Sequence, residues 1–393
     1  MNAVITSSQR RALRALSIAY FVQATGALSV AGSLPAISAA WQLTDAQSAR
    51  LLSVFGLTFA LAAPLVQVLF GHLHRRRLVL TGIALFSLGA FAFVLSPGYN
   101  ALLASRILMG AGAGFIGPVL VALGSELVHE QQRGRAIGMV LLGVSMASLA
   151  GIPLAAWVAS LWGAKALFVL VGLLSLLSGL NILLTVPDDS AGTRIRLREM
   201  AGVLADGKYL TAFLVVFFIT CGVYSFYAFI APLIRDTYTG GTHAVSAALA
   251  VLGVAGVLGN LWVTRAAIRF TAEKLLLSGM TLLIVDTALI AVLLAALVVW
   301  AFATDLLWPS QQRRIVELAS VRHRGIALAL TSAFMFGGIG FGSAVASWIY
   351  PLAGFYGLIG MSVVFILLAM LSLQLSEKRR QPVNIAECGQ RQA

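Results

Sequence analysis

The sequence contains few acidic residues, few histidines and almost no cysteine. Its 393 residues include 14 Asp and Glu, 5 His and 2 Cys, and only 10% of the chain is charged. Cys221 lies in an apolar segment and Cys388 in a polar tail, so no structural disulfide is expected. No metal-ligand spacing, nucleophile with its base, or nucleotide-binding loop stands out. We therefore expect no metal, no cofactor and no enzymatic activity.

The sequence also lacks the polar surface of a water-soluble domain. Hydrophobic residues make up 60% of it and the mean hydropathy is +0.94, which indicates a protein of the lipid bilayer. The net charge of +13 would suit nucleic acid, but the basic residues fall in short clusters between apolar segments. Membrane topology explains the charge better, and we expect no nucleic-acid partner.

Long apolar segments recur along the chain. A bilayer core about 30 Å thick needs about 20 apolar residues in a helix. The window 275–308 is too long for one ordinary crossing and short for two. The clear windows are residues 13–39, 50–70, 78–96, 101–125, 136–160, 164–186, 210–234, 245–268, 326–349 and 355–375.

Lysine and arginine mark one face of the membrane, because cytoplasmic loops collect them. With a cytoplasmic N-terminus, nearly all of them lie in predicted inner segments; the exceptions are Arg106 within a span and Arg50, Lys165 and Arg235 in outer loops. Basic residues flank the window 275–308 on both sides, so an even number of crossings must separate them. We therefore predict a hairpin that turns near or just after Asp286. That acid either keeps the turn hydrated or has a coupling role.

These segments predict an all-α integral membrane protein with about twelve transmembrane helices in two pseudo-symmetric six-helix bundles. The stretches LPAI, from Leu34, and APLI, from Ala231, end the first helix of each half and support a duplication. Halves related in this way build a central binding site in many transporters. We expect a multi-pass protein of the bacterial inner membrane with both termini cytoplasmic. The predicted units are an N-terminal bundle (1–190), a cytoplasmic linker (191–208), a C-terminal bundle (209–380) and a cytoplasmic tail (381–393).

Two spans contain residues that favour close packing or a polar role. Arg106 begins the stretch RILMGAGAGFIGPVLVAL, whose glycines allow a neighbouring helix to approach closely. A guanidinium at that depth either extends outward to the membrane surface or faces a cavity, where it would contact a solute. In the fifth span, Gly151 and Pro153 of GIPLAAW predict close packing and a bend.

Polar and aromatic side chains of the first, seventh and eighth spans are candidate ligands for a solute. Tyr224 and Tyr227 are three residues apart and share a helical face. Hydroxyl and amide groups beside aromatic rings suit an uncharged or weakly polar solute, such as a sugar or a flat ring, whereas the alternative is that the rings face lipid. The substrate-binding candidates are Gln23, Thr25, Arg106, Tyr224, Tyr227 and Asn260.

Two acids are the candidates for coupling to protons, Asp305 and Asp286. Asp305 is predicted about one turn inside the inner end of the tenth span, where a desolvated carboxylate can carry a proton. The alternative is a carboxylate that reaches the inner headgroups or Arg313. Glu126, at the inner end of the fourth span, is near several arginines and is expected to form an ion pair across a gate.

The chain resembles the major facilitator superfamily, in particular its drug:proton antiporter-like branch with sugar-efflux and arabinose-efflux type exporters. Arg106 to Gly112 resembles the fourth-helix R-x-x-x-G-x-G motif, and GIPLAAWVASLWGAKALF resembles the fifth-helix segment. YSFYAFIAPLI, followed by GVAGVLGN, is similar to the seventh and eighth helices. The resemblance implies a monomeric secondary transporter that exports a sugar, nucleoside or drug-like compound by alternating access and proton antiport.

The sequence departs from the family pattern at two places. The loop between the second and third helices reads GHLHRRRLVL, without the usual aspartate, so a gate held by that carboxylate is in doubt. Ala27 stands where exporters of this branch often have a first-helix acid. A facilitator or importer of the same fold, or a non-transporting sensor, therefore remains an alternative. The gating candidates are Gly71, Arg75, Arg76, Glu126, Gly151 and Pro153.

Overall fold

The computed structural model describes residues 5–188, 192, 196–237, 242–267, 269–290, 296–319 and 324–379. Within these ranges the chain is almost entirely helical and contains no strand. The helices are α1 (Ser7–Trp41), α2 (Asp45–Leu69), α3 (Arg75–Leu95), α4 (Tyr99–Glu126), α5 (Arg133–Met146), α6 (Ile152–Thr185), α7 (Leu197–Ala205), α8 (Gly207–Tyr227), α9 (Ile230–Thr237), α10 (Thr242–Ala266), α11 (Ala272–Ile290), α12 (Ala296–Leu318) and α13 (Arg324–Lys378).

Two of these helices are pairs joined at a glycine. Gly163 in α6 has φ 82° and Gly354 in α13 has φ 56°, a left-handed conformation that favours glycine and reverses the chain. Three exposed aromatic residues, Trp162, Trp348 and Tyr356, lie near these turns, as expected of a membrane interface. A short π-helical turn joins α5 to α6, and α9 continues the α8 span. Counted this way, the described ranges contain the twelve long helical segments that the sequence predicts.

The composition of these helices explains why they form and where they lie. Thr6 and Thr44 cap α1 and α2, each in a reciprocal arrangement with a glutamine three residues later. Seven helical stretches among the described residues are long and apolar enough to cross a membrane, with α6 and α13 each counted once. Large leucines such as Leu61 and Leu184 remain exposed on the outside of the bundle, where lipid would cover them.

The window 275–308 contains two antiparallel helices, as the predicted hairpin requires. α11 continues through Ile290, and Gly279 packs against Leu306 and Leu307 of α12, as antiparallel neighbours do. Asp286 therefore lies about one turn before the end of α11, and it is only 4% exposed. The interpretation of Asp286 as a hydrated turn residue was wrong, because the helix buries it against the bundle.

The two halves meet through backbone contacts in the middle of the helices and toward the predicted outer face. A methyl group at Gly56 of α2 would lie within 3 Å of the α13 backbone at Phe336 and Gly340. Closer to the predicted outer face, Nε of Arg50 donates to Oγ of Ser347 at 3.1 Å. Contacts through glycine leave the two backbones in direct apposition.

Candidate functional site

Arg106 is fully buried between α1, α2 and α4. Its guanidinium donates to the carbonyl oxygens of Gly26 at 3.2 Å, Ala27 at 2.9 Å and Leu51 at 3.2 Å. The cation also lies 4.5 Å from the centre of the Phe55 ring, a favourable cation–π distance. Arg106 thus neither extends to the membrane surface nor faces an open cavity: it holds three helices of the N-terminal half together.

The polar groups of α1 lie beside the bend in the fifth span. A side chain at Gly151 would overlap the hydroxyl of Thr25, so α1 and the π-helical turn Ala147–Gly151 are in close contact. Pro153 has no N–H to donate to the carbonyl of Leu149, and Gly253 of α10 packs against that carbonyl. The predicted close packing is present, a π-helical turn lies where the bend was predicted, and this turn contacts the C-terminal half.

Gln23, also on α1, is buried, and its side-chain amide has a hydrogen-bond donor that no described residue accepts. Its side chain is 3% exposed, and its Nε2 has no hydrogen-bond partner among the described residues. The hydroxyl of Thr25 is likewise without a partner in that part of the chain. A buried amide or hydroxyl without a partner is costly. These two candidates therefore retain capacity to bind a solute or water.

A cluster in the C-terminal half brings together Asp305, Tyr224, Tyr227 and Trp300; we call it the aromatic–acid cluster. The Tyr224 and Tyr227 rings are 5.5 Å apart, and Tyr227 stacks on Trp300 at 5.9 Å with an interplanar angle of 8°. The carboxylate of Asp305 lies within electrostatic range of both tyrosine side chains. A side chain at Gly256 of α10 would overlap Oδ2 of Asp305. The cluster therefore lies between α8, α10 and α12.

Asp305 lies deeper than the sequence suggested. It is near the middle of α12, because that helix continues past Pro309 to Leu318. The alternative partner Arg313 is engaged elsewhere, with Glu317 at 2.7 Å and the carbonyl of Ala267 at 2.7 Å. Asp305, Tyr224 and Tyr227 are all half-buried. No hydrogen bond to the Asp305 carboxylate is present within the described ranges.

Two residues of this region, Trp300 and Thr304, were not identified as candidate site residues from the sequence. Trp300 is 2% exposed, and its Nε1 has no partner among the described residues. The hydroxyl of Thr304, one helical turn later, has none there either. Trp300 and Thr304 are four residues apart and share a helical face with each other, but no spacing links either of them to Asp305. Asn260 is half-buried on α10, one turn beyond Gly256 and on the same face.

The gating candidates of the predicted inner face belong to one half of the protein. Nε of Arg75 lies 2.8 Å from Glu126, which joins the start of α3 to the end of α4. Arg76 donates to the carbonyl of Leu183 at 3.0 Å, near the end of α6. The predicted ion pair of Glu126 with a nearby arginine is present. It lies within the N-terminal half, where it fixes the ends of neighbouring helices.

The loop between α2 and α3 lacks the aspartate that is usual in the family, but the carboxylate of Asp188 lies beside it. Asp188 pairs with Arg77 at 3.0 Å, and its carbonyl oxygen lies 2.9 Å from Nδ1 of His74. Gly192 donates its N–H to the carbonyl of Leu73 at 3.2 Å and packs against Gly71. Gly71 thus contacts the start of the linker rather than the other half.

One depression on the described surface lies away from these groups. It has a volume of about 530 Å³ and lies at the predicted outer face, lined by residues of the α1–α2 turn together with Tyr350 and Pro351. It is open and shallow, with no partnerless buried polar group. The aromatic–acid cluster has the stronger chemical argument.

Comparison with known proteins decides the family. The model of the Major Facilitator Superfamily matches residues 16–292 and 212–388. The chain belongs to the major facilitator superfamily. It is therefore a membrane transporter rather than an enzyme, and the predicted fold class is confirmed. Superfamily transporters bind small-molecule substrates within the membrane, and the bacterial relatives below indicate a multi-pass inner-membrane protein.

Its relatives in this superfamily are distant. The chain is 26% identical over 328 residues to the uncharacterized MFS-type transporter YbcL of Bacillus subtilis, covering 81% of this chain and 84% of the relative. It is 26% identical to the inner membrane transport protein YdhP of Escherichia coli K12, covering 85% and 86%, and 26% identical to a chloramphenicol resistance protein of Streptomyces lividans, covering 68% and 70%. A solved bacterial homologue of the human lysosomal transporter Spinster, in an inward-facing and occupied conformation, shares the fold with TM-score 0.73 at 16% identity, covering 95% and 97%.

Proposed function

We propose that this chain exports a small solute from the cell by alternating access, in exchange for protons that bind at Asp305. The observation that carries the proposal is the position of that acid. Asp305 is half-buried midway along α12, beside two tyrosine rings and the Gly256 backbone. A carboxylate that is drawn out of water and has no fixed cation can exchange its charge for a proton.

Three other buried charges of the described helices are less suited to this role. One of them, Arg314 of α12, pairs with Glu273 at 3.6 Å. Arg106 donates to three carbonyl oxygens and is 0% exposed, so its charge is stabilised in place. Asp286 is 4% exposed and about one turn from the end of α11, away from the middle of the span. Asp305 alone combines depth, partial access and neighbouring aromatic rings among the described ionisable groups.

The proposed substrate site consists of the aromatic–acid cluster and the polar groups of α1. Gln23 and Thr25 hold polar atoms without partners in the described chain, and Asn260 lies on the α10 face that contacts Asp305. A site between the two halves fits alternating access, in which one half rocks against the other. Export, rather than import, is supported by the likeness to a chloramphenicol resistance protein.

Expression in a bacterium that lacks its own efflux pumps tests direction and solute class together. The screen covers chloramphenicol, other antibiotics, nucleosides and toxic sugar analogues. We expect resistance to at least one compound, with lower accumulation inside the cells. Unchanged accumulation of every compound would contradict export and would favour the non-transporting alternative.

Transport in proteoliposomes then tests coupling. With the solute so identified, an imposed pH gradient should drive its uptake against a concentration gradient for the wild type. Asp305→Asn should fold normally and still equilibrate solute but should not concentrate it. If Asp305→Asn concentrated the solute as well as the wild type does, Asp305 would be excluded as the proton carrier. A wild type that equilibrates solute and ignores the pH gradient would be a facilitator.

A further inference from the structure

We propose that the C-terminal half binds an anionic phospholipid of the inner leaflet on its lipid-facing surface. Two arginines at the inner end of α10 bind the phosphate of the headgroup, and a groove between α10 and α12 holds one acyl chain. This site lies outside the aromatic–acid cluster, and the inference does not depend on the identity or direction of the transported solute.

The groove is an apolar depression of about 300 Å³ between α10 and α12. All of its lining residues are aliphatic: Ala250, Val251, Val254, Ala255, Leu258 and Val298. Val298 is 40% exposed and Leu258 is 56% exposed, so the protein itself leaves this surface open. In a bilayer, an exposed aliphatic surface at this position is covered by acyl chains.

The exposed face of α10 continues from the groove to the inner end of that helix. Leu258, Trp262 and Arg265 follow one another at intervals of three or four residues, so they share one helical face. Trp262 is 46% exposed, and its ring centre lies 6.0 Å from that of Phe302 on α12. A partly exposed tryptophan is typical of the headgroup level of a membrane. Trp262 therefore indicates that Arg265 lies at the level of the lipid headgroups.

The distance along α10 matches the depth of one leaflet. Leu258, at the inner end of the groove, is seven residues before Arg265, which corresponds to about 10 Å along a helix axis. The hydrocarbon of one leaflet is about 15 Å deep, half of a bilayer core. An acyl chain whose headgroup lies at Arg265 therefore reaches the groove.

Two arginines supply the positive charge at the inner end of α10. The side chains of Arg265 and Arg269 are exposed, and no ion pair of either one is present in the described part of the chain. Glu273, the acid that follows them at the start of α11, instead lies 3.6 Å from the buried Arg314. A lipid phosphate is the complementary partner for exposed guanidinium groups at this level. A headgroup of net negative charge is preferred, because the arginines repel the amine of a zwitterionic headgroup.

The turn that carries Arg269 is fixed by α12. The guanidinium of Arg313 donates to the carbonyl oxygens of Ala267 at 2.7 Å and Phe270 at 3.3 Å. Arg313 also pairs with Glu317 at 2.7 Å. Phe270 is 47% exposed and adds a second aromatic ring at the headgroup level. A lipid headgroup therefore meets a turn that is already held in place.

The N-terminal half has a similar apolar stripe without the same free charge. Leu57, Leu61 and Leu65 of α2 are 40%, 68% and 53% exposed, and they recur every four residues along the helix. The arginines that begin α3 are engaged, because Arg75 and Arg77 each pair with a carboxylate. The combination of exposed arginines with an apolar groove thus distinguishes α10 from α2.

Native mass spectrometry of the purified full-length protein measures lipid binding directly. The probes are phosphatidylglycerol and phosphatidylcholine with identical acyl chains, each added to delipidated protein in the same detergent. We expect the wild type to bind phosphatidylglycerol about tenfold more tightly, since each surface arginine favours an anionic lipid. Arg265→Gln with Arg269→Gln should abolish that preference. Val254→Trp, which fills the groove, should weaken phosphatidylglycerol binding by about tenfold.

Matched variants separate this site from a general attraction between lipid and protein. Arg133→Gln with Arg135→Gln removes two exposed arginines of α5, and Leu61→Trp adds the same ring to the exposed stripe of α2. Neither change should alter the lipid preference or the affinity. All of these positions are exposed, so every variant should melt close to the wild type. If Val254→Trp does not fold, Val251→Trp provides the same test.

Three outcomes would overturn the inference. These are equal binding of the two lipids by the wild type, equal loss of the preference in the α10 and α5 arginine variants, and full displacement of the lipid by inorganic phosphate. The last result would mean that the acyl chain contributes nothing. Loss of binding in the α10 variants alone would support the site. Because the measurement requires no transport, its failure is distinguishable from a failure of the proposed function.

Discussion

The fourth helix of each half directs a charged side chain toward the first helix of that half. In the N-terminal half, Arg106 of α4 donates to the carbonyl of Ala27. In the C-terminal half, Asp305 of α12 faces Tyr224. The register of the LPAI and APLI stretches makes Ala27 and Tyr224 equivalent positions. A duplicated framework thus carries opposite charges at similar places.

The sign of a buried charge determines whether the backbones of the surrounding helices can form hydrogen bonds to it. Helix backbones offer carbonyl oxygens to a buried cation, since an oxygen can accept a second hydrogen bond, but their N–H groups are already used within the helix. Arg106 is therefore satisfied by backbone alone. A buried carboxylate must find hydroxyl groups, a proton or a cation. We therefore infer that Arg106 stabilises the fold and that Asp305 exchanges a proton.

The largest expected effect is the loss of Arg106. Arg106→Ala removes three hydrogen bonds from a charged donor, each worth about 1.5–3 kcal/mol, and with them the buried polar link between α1, α2 and α4. We expect little folded protein, or a melting temperature in detergent well below that of the wild type. Arg50→Ala is the comparison, because its guanidinium contacts the side chains of Ser347 and Tyr99 and none of the three backbone carbonyls that hold Arg106. Equal stability of the two variants would refute the structural role of Arg106.

A cross-link between the halves should stop transport completely. The Cβ of Ala60 lies 3.4 Å from the Cβ position of Gly337, close to the separation of about 3.8 Å in a disulfide. In a background without Cys221 and Cys388, Ala60→Cys with Gly337→Cys should cross-link on oxidation and lose activity, and a reductant should restore it. Each single cysteine serves as a control. Transport at the normal rate by the cross-linked protein would contradict rocking between the halves.

Displacement of the Asp305 carboxylate should have an intermediate effect. A methyl group at Gly256 would overlap Oδ2 of Asp305, so Gly256→Ala should weaken pH-driven transport by about tenfold, equivalent to about 1.4 kcal/mol, with little loss of folded protein. Gly138→Ala is the control, since nothing lies within 4 Å of its Cβ position. That variant should be neutral or slightly stabilised. Identical transport by the two variants would argue against a fixed position for Asp305.

The smallest effect is expected at the predicted inner face. Glu126→Gln breaks a partly exposed ion pair with Arg75, and such pairs contribute about 1 kcal/mol or less. We expect a small decrease in melting temperature, further reduced by salt, and nearly normal transport. A complete loss of transport with normal stability would mean that the pair gates the transporter after all.

The sequence allowed the helices to be predicted because apolar length and basic loops are local signals. The window that begins after Lys274 was resolved as a hairpin by charge alone, and the turn at Gly163 was anticipated by the break between two apolar windows. Asp286 was predicted at the outer interface or about one turn inside it, and it lies about one turn before the end of α11. Its burial could not be predicted, because burial depends on the helices packed around it.

The candidate site could be predicted only in part. Tyr224 and Tyr227 share a face by spacing, but their approach to Asp305 depends on how α8, α10 and α12 pack. Arg106 was recognised as costly to bury, yet its carbonyl partners belong to α1 and α2, far away in sequence. The same holds for Asp188 and Arg77, whose pairing depends on the path of the chain after α6. Contacts between distant segments have no local pattern.

A parallel measurement of stability and coupled transport on Arg106→Ala and Asp305→Asn tests the contrast between the halves most directly. Both variants are purified in the same detergent, melted, and reconstituted at equal amounts of folded protein with an imposed pH gradient. We predict that Asp305→Asn keeps its melting temperature and loses solute accumulation. Arg106→Ala should lose melting temperature, while its folded fraction still accumulates solute. The reverse pattern would contradict the assignment of stability to one charge and exchange to the other.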